Sequence, residues 1–394
     1  MAGTQIFSGN PLAQQNWRAG VTVESERAQA LMLFEGSRND DGIVELDRPN
    51  GQPGDIINVR FSAPNRTEVP GTDSSTIVGQ EQGTNYKNVS VQMRYMVKSG
   101  AIINEESEQN LVSFDLKRNE VGRVAREWAE TKELSHLRQL AGYDGVIPAG
   151  AGFPTQPGGG LGVNTVPNYT LSGGNPVLPP DKKWYLVPGS GTPTTETGVA
   201  ALPSAQLSNR VIEEVIKRFQ SRDYGINWPL APMRTPWGMK YVLLTSGSGY
   251  QQMRANSSSN DMYDLFRAEL QGGGTWETNS LISGQGFHYD NVVVLRSDFL
   301  PWGIVNAGPG APSGTGAAQA GCRRALLLGQ RAAHCIYGSG FTGGDHFGYS
   351  EFWVHRRLSL IVDTNYGFAR CVVDAGTAAA ESFGCAVISH NSDV

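Results

Sequence analysis

Ile57, Val59 and Phe61 alternate with Asn58, Arg60 and Ser62, and later Val89, Val91, Met93, Tyr95 and Val97 alternate with Ser90, Gln92, Arg94 and Lys98. Period-two alternation puts one residue class on each face of a strand, so the two runs read as the legs of one half-buried hairpin. Between them, Ala63 to Asn85 carries Pro64, Pro70, Gly71, Gly79 and Gly83 and few large apolar side chains. A connection of ~20 residues without a core of its own is uncommon inside a compact domain and marks a binding loop or disorder, so this tip is expected to project.

From Asn110 the period changes. Phe114, Val121, Val124, Ala125 and Trp128 fall on one helical stripe, and Leu134, Leu137 and Ala141 fall on another side. The spacing predicts one helix over Phe114 to Ala141 that changes neighbours partway along. At 1.5 Å per residue it would span ~40 Å, with Ser113 as N-cap and Gly142 just past its end. A coiled coil needs three or four sustained heptads, and this stripe drifts within about two turns.

Ahead of the hairpin, Ala28, Leu31, Met32 and Glu35 recur at helical spacing, which predicts a short helix over Glu24 to Glu35 stopped by Gly36. Ser37 to Gly54 is rich in Asn, Asp, Gly and Arg; it cannot pack a core alone and must lie on something else. Behind the long helix, Gly145 to Pro203 holds a glycine triplet at Gly158 to Gly160 and a proline pair at Pro179 and Pro180. It reads as an insertion of loops with one short strand over Trp184 to Val187. Leu207, Val211, Ile212, Val215, Ile216 and Phe219 then mark the apolar face of an amphipathic helix.

The second half alternates strands and helices. Strands are expected at Tyr241–Thr245, Asn291–Arg296, Ala325–Leu328, Glu351–His355, Leu358–Asp363 and Phe368–Val373. Helices are expected around Met262, Leu265, Phe266 and Leu270, and near Gln330 to Cys335. Gly308 to Gly321 reads as a surface loop, and the tail after Gly376 has little to bury. The fold class is α+β.

Composition narrows the function. The chain has 394 residues, enough for two or three core-forming units at ~100 to 200 residues each. Charged residues are only 18% while glycines number 49, which favours strands, turns and loops over a helical bundle. A net charge of -5 and a pI near 5.8 lack the clustered Lys and Arg that binding a nucleic-acid backbone requires. Cys322, Cys335, Cys371 and Cys385 form no CxxC pair and read as reduced, buried thiols. The start MAGTQIFSGN lacks the basic and apolar regions of a signal peptide, and no apolar run approaches the ~20 residues of a membrane span. A soluble, unexported protein is expected.

No strong catalytic motif is present: there is no P-loop, HExxH, GxSxG or EF-hand loop. The six histidines are scattered, and Asp345, His346 and His355 read better as ordinary residues than as a metal or triad set. Glu105, Glu106 and Glu108 precede the long helix, where carboxylates complement the helix dipole without any acid/base role. Arg323, Arg324, Arg356 and Arg357 read as ion-pairing or solvated side chains rather than as a phosphate site. No enzyme, cofactor or metal is expected.

The order of these segments, together with SGAIINEESEQNLVSFDLKRNEVGRVAREW, QLAG at Gln139 to Gly142, NVVVLRSDFLP at Asn291 to Pro301 and ALLLGQRAA at Ala325 to Ala333, resembles one podovirus-type coat family. These are major capsid proteins of tailed double-stranded DNA bacteriophages with the Hong Kong 97-type fold. The likeness runs from about Val23 to Thr377, outside the Gly145 to Pro203 insertion. It implies an N-terminal arm at 1–54, an extended hairpin loop at 55–100, a peripheral domain with its spine helix at 101–229 including the insertion at 145–203, an axial domain at 230–345, returning peripheral strands at 346–377 and a tail at 378–394.

The implied function is a structural virion protein that self-assembles in the host bacterial cytoplasm, as hexamers and pentamers, into an icosahedral shell around the phage genome. Intersubunit contacts are then expected at Arg66, Glu68, Asp73, Val89, Val91, Met93, Tyr95 and Trp128, with the ribbon's apolar face on a neighbour's spine helix and the arm along an adjacent subunit. The resemblance implies a portal, a decoration protein and non-specific double-stranded DNA on the inner face as further partners, and no membrane. Only about twenty residues precede the first helix, so a separate scaffolding protein is expected. Asp55 to Tyr86 contains no lysine, so the lysine–asparagine crosslink of some relatives is not expected there. The competing reading is a β-rich virion or cell-surface protein that recognises glycans, which leaves the long helix without a role.

Overall fold

The computed structural model describes residues 31, 35–37, 42–47, 55–63, 85–103, 116–142, 179–221, 225–235, 238–256, 286–289, 291–311, 318–338, 347–354, 357–373 and 381–392. The projecting tip, the acidic cluster before the long helix, the helix around Met262 and Asp345, His346 and His355 lie outside them.

Two sheets organise the chain. The first runs β1 (Glu35–Ser37), β2 (Val44–Asp47), β13 (Ala333–Tyr337), β15 (Arg357–Arg370) and β14 (Gly348–Val354), and β5 (Arg94–Ile103) pairs along the other side of β15. The second runs β6 (Trp184–Leu186), β18 (Cys385–Asn391), β12 (Ala318–Leu328), β8 (Gly238–Thr245), β10 (Val292–Arg296) and β9 (Gly286–Tyr289). β11 (Trp302–Ile304) attaches to β12 and β7 (Met233–Thr235) to β8. Helix α1 (Leu116–Ala141) packs its first half on the six-stranded sheet, where Val121, Val124, Ala125 and Trp128 meet Phe347, Tyr349, Leu358, Leu360 and Val362. Its end, at Leu137, Leu140 and Ala141, enters a core that both sheets share. Helices α2 (Glu196–Ala200), α3 (Asn209–Gln220) and α4 (Gly247–Asn256) follow; α3 and α4 cover the other face of the eight-stranded sheet.

Ser208 caps α3 by accepting the Val211 N–H, and the apolar face read from the sequence is the buried one. Gly142 ends α1 in the left-handed region at φ +70°, which glycine adopts without a Cβ clash. The hairpin is β3 (Ile56–Ala63) against β4 (Asn85–Gln92) in register Ile57↔Val91 and Val59↔Val89.

Several expectations need correction. Gln330 to Cys335 is not a helix. The N–H groups of Gly329, Gln330, Arg331 and Ala332 donate to Gly384, Ala231, Gly42 and Ile43, so the backbone is satisfied by three distant segments rather than by its own previous turn. Arg331 turns the chain at φ +55°, and β13 begins two residues later. Glu35 lies in a strand, not at a helix end. The tail is not peripheral: β18 is buried along its whole length between β6 and β12. The end of the expected insertion, Trp184 onward, supplies β6 and α2 to the same body. The last residues of the Gly308 to Gly321 loop are strand, and the two strands expected over Leu358 to Val373 are mostly one, β15, 14 residues long. Ile43 and Val44 are fully buried beside β13, and Glu45 pairs with Arg331 (2.7 Å) and His334 (3.3 Å), so this part of the expected arm packs within its own chain.

Candidate functional site

The outer face of the six-stranded sheet is covered at one end and open at the other. At the covered end the base of the hairpin lies on the sheet, and Val59, Val89, Val91 and Met93 pack with Ile336, Ala369 and Cys371. A glycine makes this approach possible: a Cβ on Gly367 would stand 2.5 Å from the Gln92 backbone carbonyl oxygen. Val89, Val91, Met93 and also Trp128, which meets Phe347 at 5.7 Å between ring centroids, are therefore buried inside the subunit. Little of their surface remains exposed.

At the open end stand Tyr95 (54% exposed), Val97 (48%) and Phe352 (44%), with half-buried Ile361 between them. The register places Val97 opposite Asp363, Tyr95 opposite Asn365 and Phe352 opposite Ser359. Partial burial and then the Asp363 carboxylate raise the Tyr95 phenol above its ordinary value. The sequence showed one unbroken alternation from Val89 to Val97. The structure splits it at Met93, whose N–H makes the last bond in line with the β3 register, to the Asp55 carbonyl; from Arg94 onward β5 takes β15 as its partner in place of β3. The same side of the strand is thus buried before Met93 and bare after it. Arg66, Glu68 and Asp73 lie outside the described residues.

Behind this face stands a buried polar frame that sequence spacing did not reveal. Lys132, Glu133, Ser135, His136 and Gln139 are buried in the second half of α1, while Leu134, expected in its apolar stripe, is only half-buried. The Lys132 Nζ lies among the rings of Phe347, Tyr366 and Tyr337, and Glu133 accepts from the Ser297 hydroxyl (3.1 Å). His136 stacks on Phe368 at 3.9 Å; burial, and then the Lys132 charge, hold it down to about 3. At the end of α1, Arg324 Nη1 donates to the Ala141 and Gly142 carbonyls (3.1 and 3.3 Å) and Arg370 Nη1 to that of Leu140 (3.0 Å). Two cations thus meet the negative end of the helix dipole and its otherwise unsatisfied carbonyls.

Glu196 of α2 completes the frame. It takes Arg324 through two hydrogen bonds (2.7 and 2.8 Å) and also accepts from the Ser389 hydroxyl (2.6 Å) and the Ile304 N–H (2.5 Å). Arg324, expected at the surface, is fully buried because this carboxylate and the helix end satisfy it. Asn391 closes the C-terminal end of α2 through the Ala200 and Leu202 carbonyls (3.0 and 3.1 Å). Nearby, Lys183 donates to the Ser382 and Phe383 carbonyls, and burial lowers it to about 8. Among the described residues the four cysteines are buried and form no disulfide with one another, no cluster of His, Cys, Asp and Glu could hold a metal ion, and no helix is long and apolar enough to cross a membrane.

No protein-family profile and no curated protein matches the sequence. Solved structures do match. The capsid of Ralstonia phage GP4 is similar with a TM-score of 0.70 at 18% identity, over 100% of this chain and 99% of that one. The capsid of cyanophage Pam1 is similar at 0.62 and 14% identity over 93% of each chain, and the head of Helicobacter pylori bacteriophage KHP40 at 0.56 and 13% identity over 93% and 92%. At such identities the likeness is one of fold, and the fold of this chain is the mixed α/β Hong Kong 97-type fold of phage capsid subunits.

Proposed function

We propose that the chain is a major capsid protein of a tailed double-stranded DNA bacteriophage, of the podovirus-type family, that self-assembles as hexamers and pentamers into the icosahedral shell of the virion. The observation that carries this reading is the match to the GP4 capsid subunit from end to end, in both directions. The six-stranded sheet with α1 would be the peripheral domain and the eight-stranded sheet with α3 and α4 the axial domain.

The open end of the sheet supports the same reading. Three large side chains on one sheet face, Tyr95 and Val97 from β5 and Phe352 from β14, are costly to leave in water, and such a patch marks a contact surface. The apolar ribbon surface expected to reach a neighbour is used inside the subunit, so the contact passes to Tyr95, Val97 and Phe352, with the tip carrying Arg66, Glu68 and Asp73 as the reaching element. Burying three such side chains contributes on the order of 5 kcal/mol before ordering costs, at ~1.5 to 3 each. Closed symmetry multiplies such modest contacts into a stable shell. A separate scaffold, a portal, a decoration protein and the packaged DNA are the partners this function calls for.

Co-expression with the neighbouring genes, followed by sedimentation and negative-stain microscopy, tests the proposal. Closed particles are expected from the intact chain, and soluble, folded, unassembled subunits from a chain lacking Pro64 to Gly83. Discrete monomers or trimers from the intact chain under every condition would contradict it.

A further inference from the structure

Lys132 is 1% exposed, and its Nζ lies 4.3, 4.7 and 4.9 Å from the ring centroids of Phe347, Tyr366 and Tyr337 and 3.5 Å from the Tyr337 hydroxyl. The rings come from separate parts of one sheet: Tyr337 ends β13, Phe347 immediately precedes β14 and Tyr366 lies within β15. The ammonium comes from α1. One atom of the helix is therefore located against three strands at once.

This contact differs in kind from the rest of the interface. Val121, Val124, Ala125 and Trp128 pack by apolar burial, which has no direction and tolerates small slides and rotations of the helix. A buried ammonium over ring faces does not, since displacement takes the charge off the π faces that it lies over. One turn further on, His136 lies flat on Phe368 and edge-on to Tyr366, so the same slide would break a second fixed geometry. Buried polar groups used in this way give up stability in return for a single arrangement.

We propose that the Lys132 aromatic box is a registration device: it fixes where α1 sits on the six-stranded sheet, and thereby the subunit shape from which a shell of one size is built. The second half of this statement rests on the capsid reading; the first does not. Lys132 is a positioning residue, acting through the placement of α1 rather than through any contact with a partner.

Lys132→Met keeps the length of the side chain and removes its charge. Particles from parent and variant are to be sized side by side by cryo-electron microscopy, with thermal midpoints and hydrogen exchange of residues 116–141 measured on the unassembled subunits. The expected result is a cooperative thermal transition in both proteins, at least tenfold faster exchange in the second half of α1, and several particle diameters in place of one. Tyr337→Leu, which keeps the ammonium and removes one wall, is expected to act in the same direction. Parent-like exchange together with parent-like particles in both variants overturns the proposal. So does failure of both variants to fold, since the box would then be a stability element. If the parent itself forms no shells, the capsid reading fails instead, and exchange alone decides whether Lys132 sets the register.

Discussion

The two halves of α1 are built on opposite principles. The first half buries one apolar stripe and leaves Arg118, Asn119, Arg123, Arg126 and Glu130 in water, with Arg123 bonded to Glu120 and Glu127 on its own helix. The second half is buried almost all round; Ser297 answers Glu133, Arg324 and Arg370 answer the end carbonyls, and aromatic rings far away in sequence lie against Lys132. One half is held by area and the other by specific partners. The difference predicts that the same kind of substitution has very different effects at the two ends.

The largest effect is expected at the closed end. Glu196→Ala leaves the Arg324 guanidinium buried without its carboxylate, a loss of ~3 to 5 kcal/mol that should appear as a large drop in the urea midpoint of the subunit. An unchanged midpoint would mean that α1 is not anchored there.

Acid probes the same end. His136 is held at about 3 and His390 at about 4, chiefly by burial in each case, against an ordinary 6.5. Between these values the unfolded chain takes up protons that the native chain refuses. Their contribution is complete above about pH 6.5 and is lost as the pH falls toward the folded values, on the order of 3 to 4 kcal/mol for the pair by pH 5. Urea unfolding at about pH 7 and pH 5 should show this slope, and His136→Phe should flatten it; equal slopes would refute the assignment.

A smaller and different effect is expected on the open sheet face. Val97→Ser with Tyr95→Ser should leave the unfolding midpoint within about 0.5 kcal/mol, as exposed sites do, while raising the subunit concentration needed for assembly at least tenfold. Light scattering during assembly measures it, and parent-like assembly would release this face from any contact role. The smallest effect belongs to Arg123→Ala on the solvated side of α1, at under ~1 kcal/mol, because exposed ion pairs contribute little. A larger loss there would erase the contrast between the halves.

The legible parts of the sequence were those where local pattern and final environment agree. The stripe at Val121, Val124, Ala125 and Trp128, the face of α3 and the glycine stop at Gly142 were all readable from spacing. Lys132, Glu133, His136 and Gln139 carry no signal in the sequence because the groups they meet, such as Phe347, Ser297 and Phe368, lie far away in the chain, where no periodicity points to them. The run at Cys385 to Asn391 falls in a tail read as having little to bury for the same reason: Ser389 and Asn391 are polar letters whose role exists only beside Glu196 and the end of α2. Ala332, Ala333 and His334 follow Gln330 with helical propensity, yet backbone bonds to three other segments override it. The candidate contact face was half legible. Tyr95 was named, but the change of partner at Met93 that exposes it leaves no mark in an unbroken alternation.

The most direct measurement is a three-dimensional reconstruction of particles assembled from the intact chain. The account predicts a closed icosahedral shell in which Tyr95, Val97 and Phe352 of every subunit are covered by a neighbouring copy. A closed shell with that face still open to solvent, or no shell at all, would contradict it.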